Sequence, residues 1–281
     1  KCCVVGCAGV EIDLAARTLC LGGETLKEGD WLSLNGSRGL VYKGKMEMLD
    51  ASASNELLSE FLRLCNSVRA LKVWTNAETP SDSSTARKFG AEGIGLFRIE
   101  HMFYGKGADE PLFQLRRMIM SKTLEERKNA LNELFPHMKK DIKDTLKVME
   151  GLHVTIRLMD PPLHEFVPHQ KEKLQQLAVA LGISFEELET RAAALRESNP
   201  MMGHRGVRLG ITYPEITEMQ ARAIFEAAAE LIKEGVRVYP DIMIPVVSLE
   251  NELIHQAGII HRVYGEVAKQ KNVKISYMVG T

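Results

Sequence analysis

The sequence predicts an α/β chain: an incomplete (β/α)8 barrel with about six of its eight strands, preceded by a short β-rich region. Two observations predict it. From residue 71 onward a short β-rich run, a loop and an amphipathic helix recur as one unit, and strands alternating with helices imply parallel pairing through right-handed crossovers. The first 47 residues lack that unit and read as turn-punctuated β structure. A doubly wound open sheet is the competing arrangement, but no Gly-rich phosphate fingerprint follows the first strand.

The elements follow in order. "KCCVVGC" reads as a compact strand with nothing before it, so the sequence is expected to open inside a domain. "GDWLSLNGSRGLVYKG" places two β-rich runs around Asn35-Gly36, and residues 29–44 read as a hairpin. From Ser54 a helical period puts Leu57, Phe61, Leu64, Cys65 and Val68 on one face, the expected join between two regions. Strands are then expected at "LKVWT" from 71, "GIGLFR" from 93, "HVTIRL" from 153, "VRLGI" from 207, "DIMIPVV" from 241 and "KISYMV" from 274. Thr123 with Glu126, and Ser184 with Glu187, have the spacing of helix-starting caps, while Gly151, Gly182 and Gly235 sit where helices should stop. The last strand ends the sequence without a helix behind it, so the carboxyl end is also expected to fall inside a domain.

Length allows one large domain or two ordinary ones in 281 residues. Thirty-six Lys and Arg nearly balance 37 Asp and Glu, so no net charge calls for nucleic acid or an anionic membrane as partner. No apolar run approaches the roughly 20 residues that span a bilayer, and no secretory segment is visible, so a soluble chain is expected. The five cysteines, Cys2, Cys3, Cys7, Cys20 and Cys65, fit a reducing compartment better than a disulfide scaffold. Cys2, Cys3 and Cys7 lack a second ligand pair at zinc spacing and read as buried packing thiols.

The arginines carry the functional signal. Arg98 closes "GIGLFR", Arg157 lies near the end of "HVTIRL", and Arg205 and Arg208 flank the start of "VRLGI". In a parallel barrel, carboxyl strand ends point into the mouth where chemistry gathers. Guanidinium forks match carboxylate and phosphate oxygens in pairs, which suits a small polyanionic substrate. The competing reading is ion pairing with Glu100, Asp160 or Glu165. Asp160 has two readings, an acceptor that fixes a guanidinium or a turn residue ahead of Pro161 and Pro162. His164 and His204 have the chemistry of an acid, base or phosphoryl acceptor, but loop histidines are more often only hydrogen-bonded. Met201 and Met202 are expected to pack against a neighbouring loop.

Taken together, "GLFRIEHMF", "IRLMDPPLHEF", "NPMMGHRGVRL" and the following "TYPEI" closely resemble the pyruvate, phosphate dikinases, a family of phosphoenolpyruvate-utilising enzymes; "DPPLHEF" is the most specific stretch. Phosphoenolpyruvate synthase and enzyme I of the sugar phosphotransferase system share the barrel and its arginines but differ in the loop after the third strand. The resemblance implies a three-domain parent that interconverts ATP, phosphate and pyruvate with AMP, pyrophosphate and phosphoenolpyruvate. A histidine on a swivelling domain would carry the phosphoryl group from an ATP-grasp domain of the same parent chain to the barrel. By position, residues 1–47 resemble the end of the swivelling domain, 48–70 a linker helix, and 71–281 a truncated phosphoenolpyruvate/pyruvate-binding barrel. Arg98 and Arg157 match the arginines that hold phosphoenolpyruvate, with Arg208 ranked ahead of Arg205 as a third and Asp160 in support. The phosphohistidine, the Mg2+-binding acids and the proton-donating cysteine would lie outside residues 1–281, so no catalytic group and no metal ligand is expected within them. A homodimer through the barrel is implied, and the family occurs in bacterial cytoplasm, plastids and glycosomes. As an isolated piece, the chain would then be an inactive binding or dimerisation module.

Overall fold

A computed structural model of the chain describes residues 2–48, 56–104, 107–168, 170–197 and 199–281. It divides into two compact units, Lys1–Leu62 and Arg63–Thr281.

In the first unit, β1 (Glu11–Asp13), β2 (Thr18–Leu21) and β3 (Glu24–Lys27) form an antiparallel sheet in that order. A separate hairpin pairs β4 (Leu32–Asn35) with β5 (Leu40–Lys43). This is the hairpin expected over 29–44, but its turn is residues 36–39. Asn35 closes the first strand, pairs with Leu40 and accepts from the Arg38 amide at 3.1 Å. "KCCVVGC" forms no strand over its described residues 2–7, and Cys2, Cys3 and Cys7 are exposed rather than buried. The cause is a shortage of interior: among the described residues of this unit, Leu26 is the one buried side chain.

Helix α1 (Glu56–Val68) confirms the helical period, although Ser54, its expected start, lies outside the described residues. Leu57, Phe61, Leu64 and Val68 on its apolar stripe are exposed.

The second unit is built on a parallel sheet. The chain runs β6 (Thr75–Asn76), α2 (Pro80–Lys88), β7 (Gly93–Arg98), α3 (Asp109–Ile119), α4 (Leu124–Val148) and β8 (His153–Arg157). It continues with α5 (Lys171–Leu181), α6 (Phe185–Ala194), α7 (Gly206–Thr212), α8 (Pro214–Lys233), β9 (Tyr239–Met243), α9 (Glu250–Lys271) and β10 (Met278–Gly280). The strand order is β10-β9-β8-β7-β6, every pairing parallel. This sequential order has no reversal, whereas a doubly wound sheet reverses at its switch point.

Among the described residues this sheet has five strands, not six. "VRLGI" forms helix α7. A five-residue run is too short to be told from a buried helix by periodicity, and Gly206 redirects the chain with φ +54°. An added Cβ there would lie 2.7 Å from the Pro245 carbonyl oxygen, so the position excludes a side chain. "LKVWT" contributes only Thr75 to a strand. β6 is an edge that pairs with β7 alone, and Trp74 stacks on His153, which in turn stacks on Tyr239, at centroid distances of 5.7 and 5.0 Å. Gly93 makes room for that column, since a Cβ would meet the Trp74 ring at 3.0 Å.

The core lies between the sheet and its helices. Ile94 and Phe97 of β7, Val154 and Ile156 of β8 and Ile242 of β9 share one cluster with Leu134, Met138, Ile142 and Leu146 of α4 and Ile224 and Ala228 of α8. Burying each large aliphatic chain contributes about 1.5–3 kcal/mol. On α8, Ala221, Ala223, Ala227, Ala228 and Ala229 are all fully buried, which lets neighbouring backbones approach closely. The expected caps are present. Thr123 and Ser184 accept from the amides of Glu126 and Glu187, each at 3.1 Å, and Gly182, Gly151 and Gly235 adopt positive φ after α5, α4 and α8. Among the described residues, no helix is long and apolar enough to cross a membrane.

Candidate functional site

Arg98 and Arg157 are the last residues of neighbouring parallel strands and sit directly opposite one another in register. Side chains alternate across a strand, so both project from the face opposite to buried Phe97 and Ile156, which meet α4. The two guanidinium groups therefore share one face and one end of the sheet.

Each is fixed by an acid supplied just after the preceding strand. Glu78 follows β6 and accepts from Arg98 Nε at 2.7 Å and Nη2 at 2.6 Å. Glu100 follows β7 and accepts from Arg157 Nη2. Asp160 follows β8, pairs with Arg157 Nη1 at 3.0 Å, and accepts from both Nε and Nη2 of Arg205, at 3.1 and 2.7 Å. Each strand-end arginine is thus held by its own acid, and Asp160 joins Arg157 to Arg205. Ion pairing and convergence, alternatives in the sequence, occur together here. A carboxylate that holds two donors of a fork fixes its plane and leaves the remaining N–H groups at a set angle. Two buried atoms in this row have no hydrogen-bond partner, Arg157 Nε and Glu100 Oε2. Such orphans cost about 1–3 kcal/mol each, which marks the row as a place where polar capacity is held unspent.

Asp160 is 5% exposed and stands directly before the bend at Pro161. Its carbonyl accepts from the Gly206 amide at 3.2 Å, drawing the start of α7 to the end of β8. Pro161 and Pro162 lead into a 3-10 turn, Leu163–Phe166. Phe166 packs edge-on to Phe103 and stacks on Tyr104, and its carbonyl accepts from Arg116 Nε at 2.8 Å. Burial, followed by the Glu165 and Glu100 carboxylates, pushes the Tyr104 hydroxyl above its ordinary value, and burial lowers Arg116.

The other expected residues are placed as follows. Arg205 joins the row through Asp160, from the start of α7 rather than from a strand. Arg208 lies on α7 and donates through Nη1 to the carbonyls of Met202 and Gly203, at 2.7 and 3.0 Å, so it braces the loop before α7. Glu165 is exposed and pairs with none of these arginines. His204 Nε2 lies 2.9 Å from the Thr212 hydroxyl. His164 lines a cavity beside α5 and α6 whose lining includes none of these arginines. Met201 and Met202 do not pack as expected; they are 72% and 67% exposed.

Three features escaped the sequence reading. Glu78 was not singled out, although an acid two residues beyond a strand is the same signal that drew notice to Glu100. Gly206 and Val246 approach closely: Val246 Cγ2 lies 3.0 Å from the position of a Gly206 Cβ. Val246 holds φ +62°, a strained state for a β-branched residue, and no local sequence signal announces it.

With the geometry in place, comparison with known proteins gives a consistent result. Residues 52–281 match the family described as PEP-utilising enzyme, PEP-binding domain. The chain is 47% identical over 283 aligned residues to the chloroplastic pyruvate, phosphate dikinase of Flaveria pringlei and to pyruvate, phosphate dikinase 2 of Zea mays. It is 46% identical to the chloroplastic pyruvate, phosphate dikinase 1 of Arabidopsis thaliana. All of this chain is covered in each case, but it spans only 29, 32 and 29% of those relatives.

Proposed function

The chain belongs to the PEP-utilising enzymes, with their PEP-binding domain over residues 52–281, and on that premise we propose that it is the part of a pyruvate, phosphate dikinase that holds phosphoenolpyruvate and pyruvate. The carrying observation is the row of strand-end arginines, Arg98 and Arg157 in register with Arg205 joined through Asp160. In this reading Arg98 and Arg157 grip the carboxylate and phosphate of the substrate. Asp160 and Glu100 hold the Arg157 fork, Arg205 extends the row, and Arg208 shapes the loop at its edge.

The chemistry asks for cations more than for an acid or base. Transfer from a phosphohistidine to the enolate oxygen of pyruvate breaks an N–P bond and forms a P–O bond, with negative charge on the phosphoryl oxygens and the enolate. Fixed guanidinium groups stabilise that charge without reorganising. The histidine belongs to the swivelling domain of the parent, whose end is residues 1–47 in this reading. Residues 48–70 form the linker helix, and 71–281 part of a barrel that the parent chain closes to eight strands. The ATP-grasp domain of the same parent is the phosphoryl source. The unpaired edges of β6 and β10 favour strand partners from the parent or from a second copy in a homodimer.

Mg2+ is the cofactor of this reading, with ligands beyond Thr281. The described residues do not fit it: they hold no group of three or more potential ligands, and Glu78, Glu100 and Asp160 each already hold arginine.

The test is substitution in the full-length parent enzyme. Arg98→Gln and Arg157→Gln are each expected to lower kcat/KM for phosphoenolpyruvate by about 10²–10³-fold, the range for removing one transition-state donor, with ATP-dependent phosphorylation of the histidine unchanged. Values within twofold of wild type for both variants would refute the assignment.

A further inference from the structure

We propose a second ligand site in the same unit, for a small phosphorylated carbon compound, between the diproline turn and helices α5 and α6. A cavity of about 380 Å³ lies there, lined by His164, Val167, Lys171, Leu174, Glu189 and Arg196 among others. Its volume is within the range of small-molecule sites, and none of its lining residues belongs to the arginine row.

The chemistry of the lining is that of an amphipathic anion. Val167 and Leu174 are buried and give one apolar wall. Lys171 and Arg196 give the opposite character. Among the described residues neither forms an ion pair, and Glu189, the one acid lining the cavity, bonds to neither. The Lys171 ammonium lies 5.6 Å from the centroid of Phe185, at the junction of α5 and α6. An ammonium and a guanidinium without a carboxylate partner among the described residues, on one small cavity, match the oxygens of a phosphate.

His164 supplies the third polar group. Its Nδ1 is buried without a hydrogen-bond partner. A proton at Nδ1 would have nothing to accept it, whereas a lone pair there is the smaller loss. The favoured neutral tautomer therefore carries its proton on Nε2, as a donor for a ligand. Inorganic phosphate would satisfy the cations but leave the Val167 and Leu174 wall uncovered, so a ligand with a carbon body is the better fit.

The test is calorimetric titration of the chain with glycerol 3-phosphate, inorganic phosphate and glycerol. Glycerol 3-phosphate is expected to bind more tightly than phosphate, with no heat from glycerol. The double variant Lys171→Gln/Arg196→Gln, whose replaced side chains are exposed, should melt as wild type does and bind roughly tenfold more weakly, while Arg157→Gln should bind as wild type. Unchanged binding in the double variant would overturn the site, as would absence of binding at millimolar ligand. Loss of binding in Arg157→Gln alone would place the anion on the strand ends instead. Equal affinity for phosphate and glycerol 3-phosphate would overturn the apolar half of the proposal.

Discussion

Asp160 accepts from two guanidinium groups while standing directly before two prolines, and the two roles support each other. The prolines fix the backbone that follows it, so its carboxylate stays between Arg157 at 3.0 Å and Arg205 at 2.7 Å. Of the two sequence readings of this residue, the geometry displays the acceptor, while the bend comes at Pro161 and the hydrogen-bonded turn only at Leu163–Phe166. Its partnership with Arg205 was not legible, because the two are 45 positions apart with α5 and α6 between them. Replacing the carboxylate by an amide keeps the shape but gives one oxygen where two accepted. In the full-length parent, Asp160→Asn is expected to weaken phosphoenolpyruvate binding roughly tenfold by freeing both forks, a loss of about 1.4 kcal/mol. Because Asp160 acts through the arginines, KM should rise more than kcat falls. An unchanged KM would show that the arginines are held without it.

Helices were easier to read than strands at the level of single elements, for a physical reason. A helix announces its start with a side chain that accepts from its own first turn, and Thr123 and Ser184 do this as their spacing implies. A short buried strand has no comparable mark, so "VRLGI" was indistinguishable from a helix until Gly206 turned the chain. The α4–α8 contact shows what sequence spacing leaves out, a charge network across two helices far apart in the chain. Lys139 and Lys143 on α4 meet Glu230 on α8 at 2.9 and 3.0 Å, and Lys143 also meets Glu234 at 2.7 Å. Burial raises the Glu230 carboxyl, but hydrogen bonds from Lys139 and Lys143 outweigh it and hold the group below its ordinary 4.5. Lys139, through its bond to Glu230, and Lys143, through bonds to Glu234 and Glu230, are raised above 10.5. A carboxyl lowered on folding adds stability above its unfolded pKa and loses it as pH falls through the folded value; a raised lysine keeps its contribution up to 10.5 and loses it only beyond. Glu230→Gln should therefore cost about 0.5–1 kcal/mol at neutral pH, the range for partly exposed pairs. In urea melts the difference from wild type should persist to pH 10 and close as pH falls below 4.5. A difference independent of pH on the acid side would mean that the network contributes nothing through charge.

Across the whole molecule, the division at residues 62 and 63 separates two ways of being stable. The change from turn-rich β sequence to helical period was legible, because the two do not resemble each other, but the compact units divide within α1 and not at residue 47. That the first unit would have almost no interior was not, since its alternating runs look like half-buried strands. The difference in burial makes a direct prediction. Backbone amides are protected to the extent that opening them exposes packed surface. In the described residues of the first unit that surface is Leu26 alone, while α8 buries 13 residues, among them Ile216, Ile224, Phe225 and Leu231. Hydrogen exchange of the chain at neutral pH should thus show β1 to β5 exchanging by local opening, orders of magnitude faster than α4, α8, β8 and β9. Urea should leave the first unit's rates nearly unchanged at concentrations that accelerate the second, because local opening exposes little new surface and global unfolding exposes much. Equal protection in the two units, with the same urea dependence, would mean that β1 to β5 unfold only together with the parallel sheet, and that what stabilises them lies elsewhere than in their own interior.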